Sequence, residues 1–144
     1  MTELDFWKRL KDYLAIDDAD CVRAMGEKVL EMLSARLTRE EGEDLKAQLP
    51  AGLKTIWARH EDEMTKIGRD QFVSAIRKEF DLESDAEAER VVRGVFGLLQ
   101  EGITRGEADD VEAQLPKDLK ALWRSAALVK ERETHKNRLE KILY

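Results

Sequence analysis

The chain has 144 residues, 42% of them hydrophobic and 39% charged, with two prolines, eight glycines and a formal net charge of −6. That composition excludes collagen-like, Pro/Gly-rich and wholly disordered chains, and the length suits one domain or two small halves sharing a core. The single cysteine, Cys21, excludes an intrachain disulfide framework and fits a reducing compartment.

Charge is unevenly spread. Residues 1–123 carry 19 Lys+Arg against 28 Asp+Glu, a net of −9, whereas residues 124–144 carry six against three, a net of +3. An acidic body repels phosphate backbones, so a nucleic-acid role would have to reside in the tail. The start, Met1-Thr2-Glu3-Leu4-Asp5, lacks the basic and apolar regions of a signal peptide, and no apolar run approaches the ~20 residues of a membrane span. The expectation is a cytoplasmic globular protein with no membrane segment.

An internal repeat organises the chain. The stretch 36–57 recurs at 102–123, an offset of 66 residues, with 11 of 22 positions identical and no gap. The same offset lays Phe6 on Phe72, Leu10 on Ile76, Leu14 on Phe80, Val29 on Val95 and Leu33 on Leu99. The expected division is repeat 1 at 4–57, a helical linker at 58–69, repeat 2 at 70–123 and a basic C-terminal helix at 124–144.

Each copy reads as four helices. The first carries Phe6, Leu10 and Leu14, or Phe72, Ile76 and Phe80, at four-residue spacing. An acidic loop follows, and in copy two Ser84 with Glu87 is a capping-box pattern. The second helix shows a buried-face stripe: Val22, Met25, Val29 and Leu33, matched by Ala88, Val91, Val95 and Leu99. The third opens on Thr38 or Thr104, with Glu41 or Glu107 at the third helical position. Each hydroxyl is expected to accept from that residue's amide while the glutamate reaches back to the cap.

That helix must stop near Gln48 or Gln114, because a leucine before proline is pushed out of the α region. Pro50 and Pro116 suit the first position of a fourth helix, whose apolar patch ends on Trp57 or Trp123. In copy one the pattern continues through His60, Met64 and Ile67 to Gly68, and in copy two neither Gly nor Pro interrupts the chain after Pro116. The fold class expected is all-α: a tandem duplication of a four-helix unit packed about a pseudo-two-fold axis, plus a C-terminal helical extension.

These residues resemble a known family. Thr104-Arg105-Gly106-Glu107-Ala108, then Ala113-Gln114-Leu115-Pro116, Leu119 and Trp123, are similar to the bacterial proteins grouped as domain of unknown function 2267, which carry two copies of a helical unit with a Gln-Leu-Pro signature. The resemblance covers residues 4–123 and leaves out the tail. Copy one departs from it at Glu40-Glu41-Gly42, where the glycine has moved. It implies a duplicated all-helical architecture in a bacterial cytoplasm and brings no activity with it.

Little in the chain carries chemistry. His60-Glu61-Asp62-Glu63-Met64 has Met64 where a zinc-protease helix needs its second histidine. Counted from Asp17 or Asp81, the sixth position is Val22 or Ala86 instead of the glycine of an EF-hand loop. Cys21 has no nearby histidine or second cysteine and reads as a small, partly buried residue. Gly94 and Gly97 follow a helical pattern and read as close-approach points between helices instead of a phosphate loop.

The many carboxylates occupy cap and surface positions where ionised, solvated groups are expected. No catalytic, cofactor or metal residue is assigned, and the chain is not read as an enzyme. Asp44/Asp110, Gln48/Gln114 and Lys54/Lys120 are polar residues identical in both copies; the acid and amide are expected to satisfy groups at the Pro corner, the alternative being a symmetric pair of recognition edges.

The functional expectation is a non-enzymatic helical interaction or regulatory module. The residues for a protein partner or self-association are Lys130, Arg132, Lys136, Arg138 and Lys141 with Leu139 and Ile142. The alternative is an accessory protein binding nucleic acid or another anionic surface through the same basic helix, and a third reading is an enzyme or small-ligand carrier with a cavity between the copies.

Overall fold

In the computed structural model, residues 1–59 and 66–126 are described. They form eight helices, and no strand occurs among the described residues. The helices are α1 (Glu3–Leu14), α2 (Ala19–Arg36), α3 (Arg39–Ala47), α4 (Ala51–Ala58), α5 (Arg69–Glu79), α6 (Asp85–Gly102) and α7 (Arg105–Gln114). The eighth, α8, starts at 117 and is described to 126.

The starts are set by local chemistry. Asp18 caps α2 by accepting from the Asp20 and Cys21 amides, both at 3.1 Å, and Ser84 caps α6 by accepting from the Glu87 amide at 3.2 Å. The reciprocal half of the expected capping box differs: the Glu87 carboxylate accepts from the Glu83 amide at 3.0 Å, one residue before the cap. The prolines also sit one position earlier than expected. Pro50 is the N-cap of α4, its carbonyl accepting from the Lys54 amide at 3.1 Å, and Pro116 does the same for Lys120 at 2.9 Å. A proline fits there equally well, since that amide is outside the helical ladder anyway. Leu115, ahead of Pro116, is extended at φ −78° and ψ 146°. In copy one the fourth helix ends at Ala58, just past Trp57; His60 and Met64 lie outside the described residues.

The two 18-residue helices α2 and α6 pack on one another and carry the core. Their expected stripes are buried throughout, as are Phe6, Leu10, Phe72 and Ile76, while Leu14 and Phe80 are partly buried at its margin. α1 packs on both α2 and α6, and α5 likewise packs on both α6 and α2. Buried residues from Phe6 to Ala126 form one continuous apolar cluster, with Trp57 and Trp123 as buried anchors and Phe96 edge-on to Phe72 and tilted against Trp123. Both halves share one core. Gly94 and Gly97 are close-approach points: a Cβ at Gly94 would meet the Tyr13 ring at 2.8 Å, and one at Gly97 the Ala126 carbonyl at 3.3 Å.

Ala126 and its neighbour Ser125 belong to this body. Ser125 accepts from Arg93 Nε at 2.9 Å, and Ala126 is buried against α6. Residues 124–126 thus continue α8 into the body.

Two non-glycine residues among those described have positive φ, Ala15 at 55° and Asp81 at 51°, and they stand 66 residues apart, each just beyond the first helix of its half. Alanine in this region carries a Cβ–carbonyl clash worth roughly 1–2 kcal/mol, part of which glycine returns as unfolded-state entropy. Ala15→Gly should therefore raise unfolding free energy in urea by up to about 1 kcal/mol. Asp81→Gly should gain less, because aspartate tolerates the left-handed region.

Candidate functional site

The polar centre of the molecule is where α3 meets α7. Thr38 and Thr104 cap these helices as expected, each hydroxyl accepting from the amide three residues on, Glu41 at 3.3 Å and Glu107 at 3.2 Å. The remaining cap amide goes elsewhere than expected. Thr104 N–H donates to Gln48 Oε1 at 2.7 Å, and Thr38 N–H donates to Gln114 Oε1 at 3.1 Å. Each glutamine at the end of one third helix thus caps the start of the other, and Thr38 Oγ1 also bonds Gln114 Oε1 at 3.1 Å.

Two expectations are corrected by this arrangement. Gln48 and Gln114 do not satisfy their own Pro corners, and Glu41 and Glu107 do not reach back to their caps, because the foreign glutamine already occupies the amide. The glutamates turn inward instead. Glu41 is 8% exposed and Glu107 7%, so neither is a solvated surface carboxylate. The Oε1 atoms of both are buried without a hydrogen-bond partner. With Asp110, which is exposed, they bring one oxygen each to within 4.8 Å of one another.

Like charges gathered away from water are expensive to ionise. Burial first, then a side-chain hydrogen bond with the Glu107 carboxyl and that group's charge, then the charges of Asp110 and Asp44, push the Glu41 carboxyl from its ordinary 4.5 up to about 8. Trp57 closes the floor nearby: its Nε1 is buried without a hydrogen-bond partner, and a Cβ at Gly42 would stand 3.6 Å from it.

Sequence reasoning placed Thr38, Glu41, Gln48, Thr104, Glu107 and Gln114 as helix punctuation, and the fold brings all six together. The signal that could have marked them is the pairing Glu41/Asp44 with Glu107/Asp110, the same acids at i, i+3 in both copies, which share a helix face.

Other concave regions are smaller chemical prospects. A cavity of about 260 Å³ is lined by Arg69, Glu89, Arg93, Asp118 and Ser125. Its polar groups pair with one another: Glu89 takes Arg69 at 2.6 Å and Arg93 at 2.7 Å, and Asp118 takes the Arg69 amide at 3.1 Å. A second, of about 230 Å³, lies between Leu14, Met25, Leu82 and Val91. Across its rim Arg90 donates to the Tyr13 carbonyl at 2.7 Å and stacks on the Tyr13 ring. Cys21 is partly buried, as expected. The partner residues Lys130, Arg132, Lys136, Arg138, Leu139, Lys141 and Ile142 lie outside the described residues.

The sequence profile of a family described as "Uncharacterized conserved protein (DUF2267)" matches residues 4–138. The chain belongs to this family. The match runs beyond Trp123, so most of the basic tail falls within the family's span and not outside it. Among curated proteins, none matches the chain. No helix among the described residues is long and apolar enough to cross a membrane.

The junction makes two mutational predictions. Gln48→Ala and Gln114→Ala should each cost about 0.5–1.5 kcal/mol in chemical denaturation, since each strips a helix start of its acceptor. Glu41→Gln should do the reverse in metal-free buffer at neutral pH. It keeps the side chain's shape and stays neutral without taking up the proton that a carboxyl raised to about 8 must bind on folding at neutral pH, so a gain of about 1–2 kcal/mol is expected.

Proposed function

We propose that this family member is a non-enzymatic helical module in which two copies of a four-helix unit, 4–57 and 70–123, close about a pseudo-two-fold axis and present their surface to a protein partner in the bacterial cytoplasm. The observation that carries the reading is the reciprocal exchange of caps between α3 and α7, Gln48 to Thr104 and Gln114 to Thr38. The 66-residue offset supports it further, since it relates α2 to α6 and Ala15 to Asp81. A body tied together in this way acts by holding a surface still. The segment that engages the partner is the basic tail, through Lys130, Arg132, Lys136, Arg138 and Lys141, with Leu139 and Ile142 supplying apolar contact.

The charge difference between body and tail gives a second reading some weight, in which the tail binds nucleic acid or another anionic surface. A pull-down from the source cell after nuclease treatment separates the two. The full chain is compared with one ending at residue 129, which keeps the buried Ala126. A nuclease-resistant protein partner, lost on truncation and on K130Q/R132Q/K136Q/R138Q/K141Q, is the expected result. Recovery of only nuclease-sensitive material, with binding that falls steeply with salt, would favour the second reading.

A further inference from the structure

Three acidic side chains converge at the α3–α7 junction. Glu41 and Glu107 are more than nine-tenths buried, and each holds an Oε1 atom that is shielded from water and has no hydrogen-bond partner. Asp110 approaches from the exposed side, so that one oxygen from each lies within 4.8 Å of the others. Spacings of up to 4.8 Å fit oxygens around one Ca²⁺, which takes Ca–O distances of about 2.3–2.6 Å in flexible geometry, whereas Mg²⁺ at about 2.0–2.1 Å is held to a near-ideal octahedron. The trio contains only carboxylate oxygens, the donors of hard cations, and neither the imidazole nor the thiolate that zinc and copper favour.

Keeping two buried acids ionised where apolar packing was available needs a compensating charge. Their backbone neighbours do not provide it: the amides at both third helical positions are already taken by Thr38 and Thr104, and the cap amides by Gln114 and Gln48.

We propose that Glu41, Glu107 and Asp110 bind one hard divalent cation of calcium size, with water completing its shell on the Asp110 side, and that the ion fastens α3 to α7. Glu41 and Glu107 would be the fixed ligands and Asp110 the entry ligand. The bound state would clamp the two halves at their polar junction, making the rigidity of the module responsive to cation concentration.

The test uses the full chain, stripped with a chelator and dialysed, then titrated with Ca²⁺, Mg²⁺ and Mn²⁺ at constant ionic strength by calorimetry and by thermal unfolding. Ca²⁺ should bind with one ion per chain and raise the melting temperature by roughly 5–10 °C at about 100-fold above Kd. Mg²⁺ should do so more weakly. Glu41→Gln with Glu107→Gln should abolish the response, Asp110→Asn should weaken affinity roughly tenfold or more, and Asp109→Asn, an exposed acid on the same helix, should leave it unchanged.

Three results would overturn the proposal: absence of both heat and thermal shift, an equal shift with Na⁺ at matched ionic strength, or an unaltered Kd in the double variant. The first would mean that the pair holds a proton in place of a metal. Should the double variant fail to fold by circular dichroism, Asp110→Asn decides the matter, because that side chain is exposed and unchanged affinity there would exclude the site.

Discussion

Neither half of this chain can bury its own first helix. α1 needs α6 as well as α2, and α5 needs α2 as well as α6, so the apolar faces of both first helices are satisfied only when the two long helices cross. A unit of roughly 55 residues buries only about 60% of the surface of its chain and is marginally stable by itself. Sharing α2 and α6 solves this, and it makes the relative placement of the halves a condition of folding. Everything else follows that placement, including which polar groups meet at α3 and α7. Ion pairs of the outer surface, such as Arg9 with Glu101 between α1 and α6 or Lys28 with Glu79 at 3.6 Å between α2 and α5, add little beside it.

The α3–α7 junction shows how a local motif is rewritten by tertiary contact. In isolation, Thr38 with Glu41 would form a self-contained capping box, hydroxyl to amide and carboxylate to amide. Here the second half of that box is supplied in trans. Gln114 takes the Thr38 amide and Gln48 takes that of Thr104, and each glutamate is thereby released from its own helix start. Once released, the carboxylates can go only outward to water or inward toward each other. The helices are packed so that Glu41 and Glu107 lie inward.

This explains what was legible in the sequence. Helix positions, buried stripes and tryptophan anchors were readable because they depend on spacing within about 20 residues: Val22, Met25, Val29 and Leu33 declare their face without knowledge of any other helix. The ends were readable too, apart from a shift of one position at Pro50 and Pro116. What could not be read was the partner of any side chain more than one turn away. Gln48 and Gln114 look alike whether they bond their own corner or the opposite cap, since the choice is made 56 or 76 residues away in sequence. Ser125 and Ala126 looked like the start of a polar tail because their contacts, with Arg93 and Gly97, come from α6.

The glutamates carry the deepest consequence of that distinction. Replacing a buried, unpaired carboxylate with a well-packed apolar residue is generally neutral or stabilising, so a fold selected only for stability would be better served by leucine at both positions. Other polar clusters are paired, although Arg36 Nε and Trp57 Nε1 are also buried without a partner. The Arg69–Glu89–Arg93–Ser125 cluster closes on itself, and the helix starts at Asp18 and Ser84 are capped. Against that background two inward carboxylates at equivalent positions, each with an unpartnered oxygen and with an exposed third acid beside them, stand out because they hold like charge, and not merely an unpaired dipole, away from water. A proton or a cation arriving from solution past Asp110 would offset that cost.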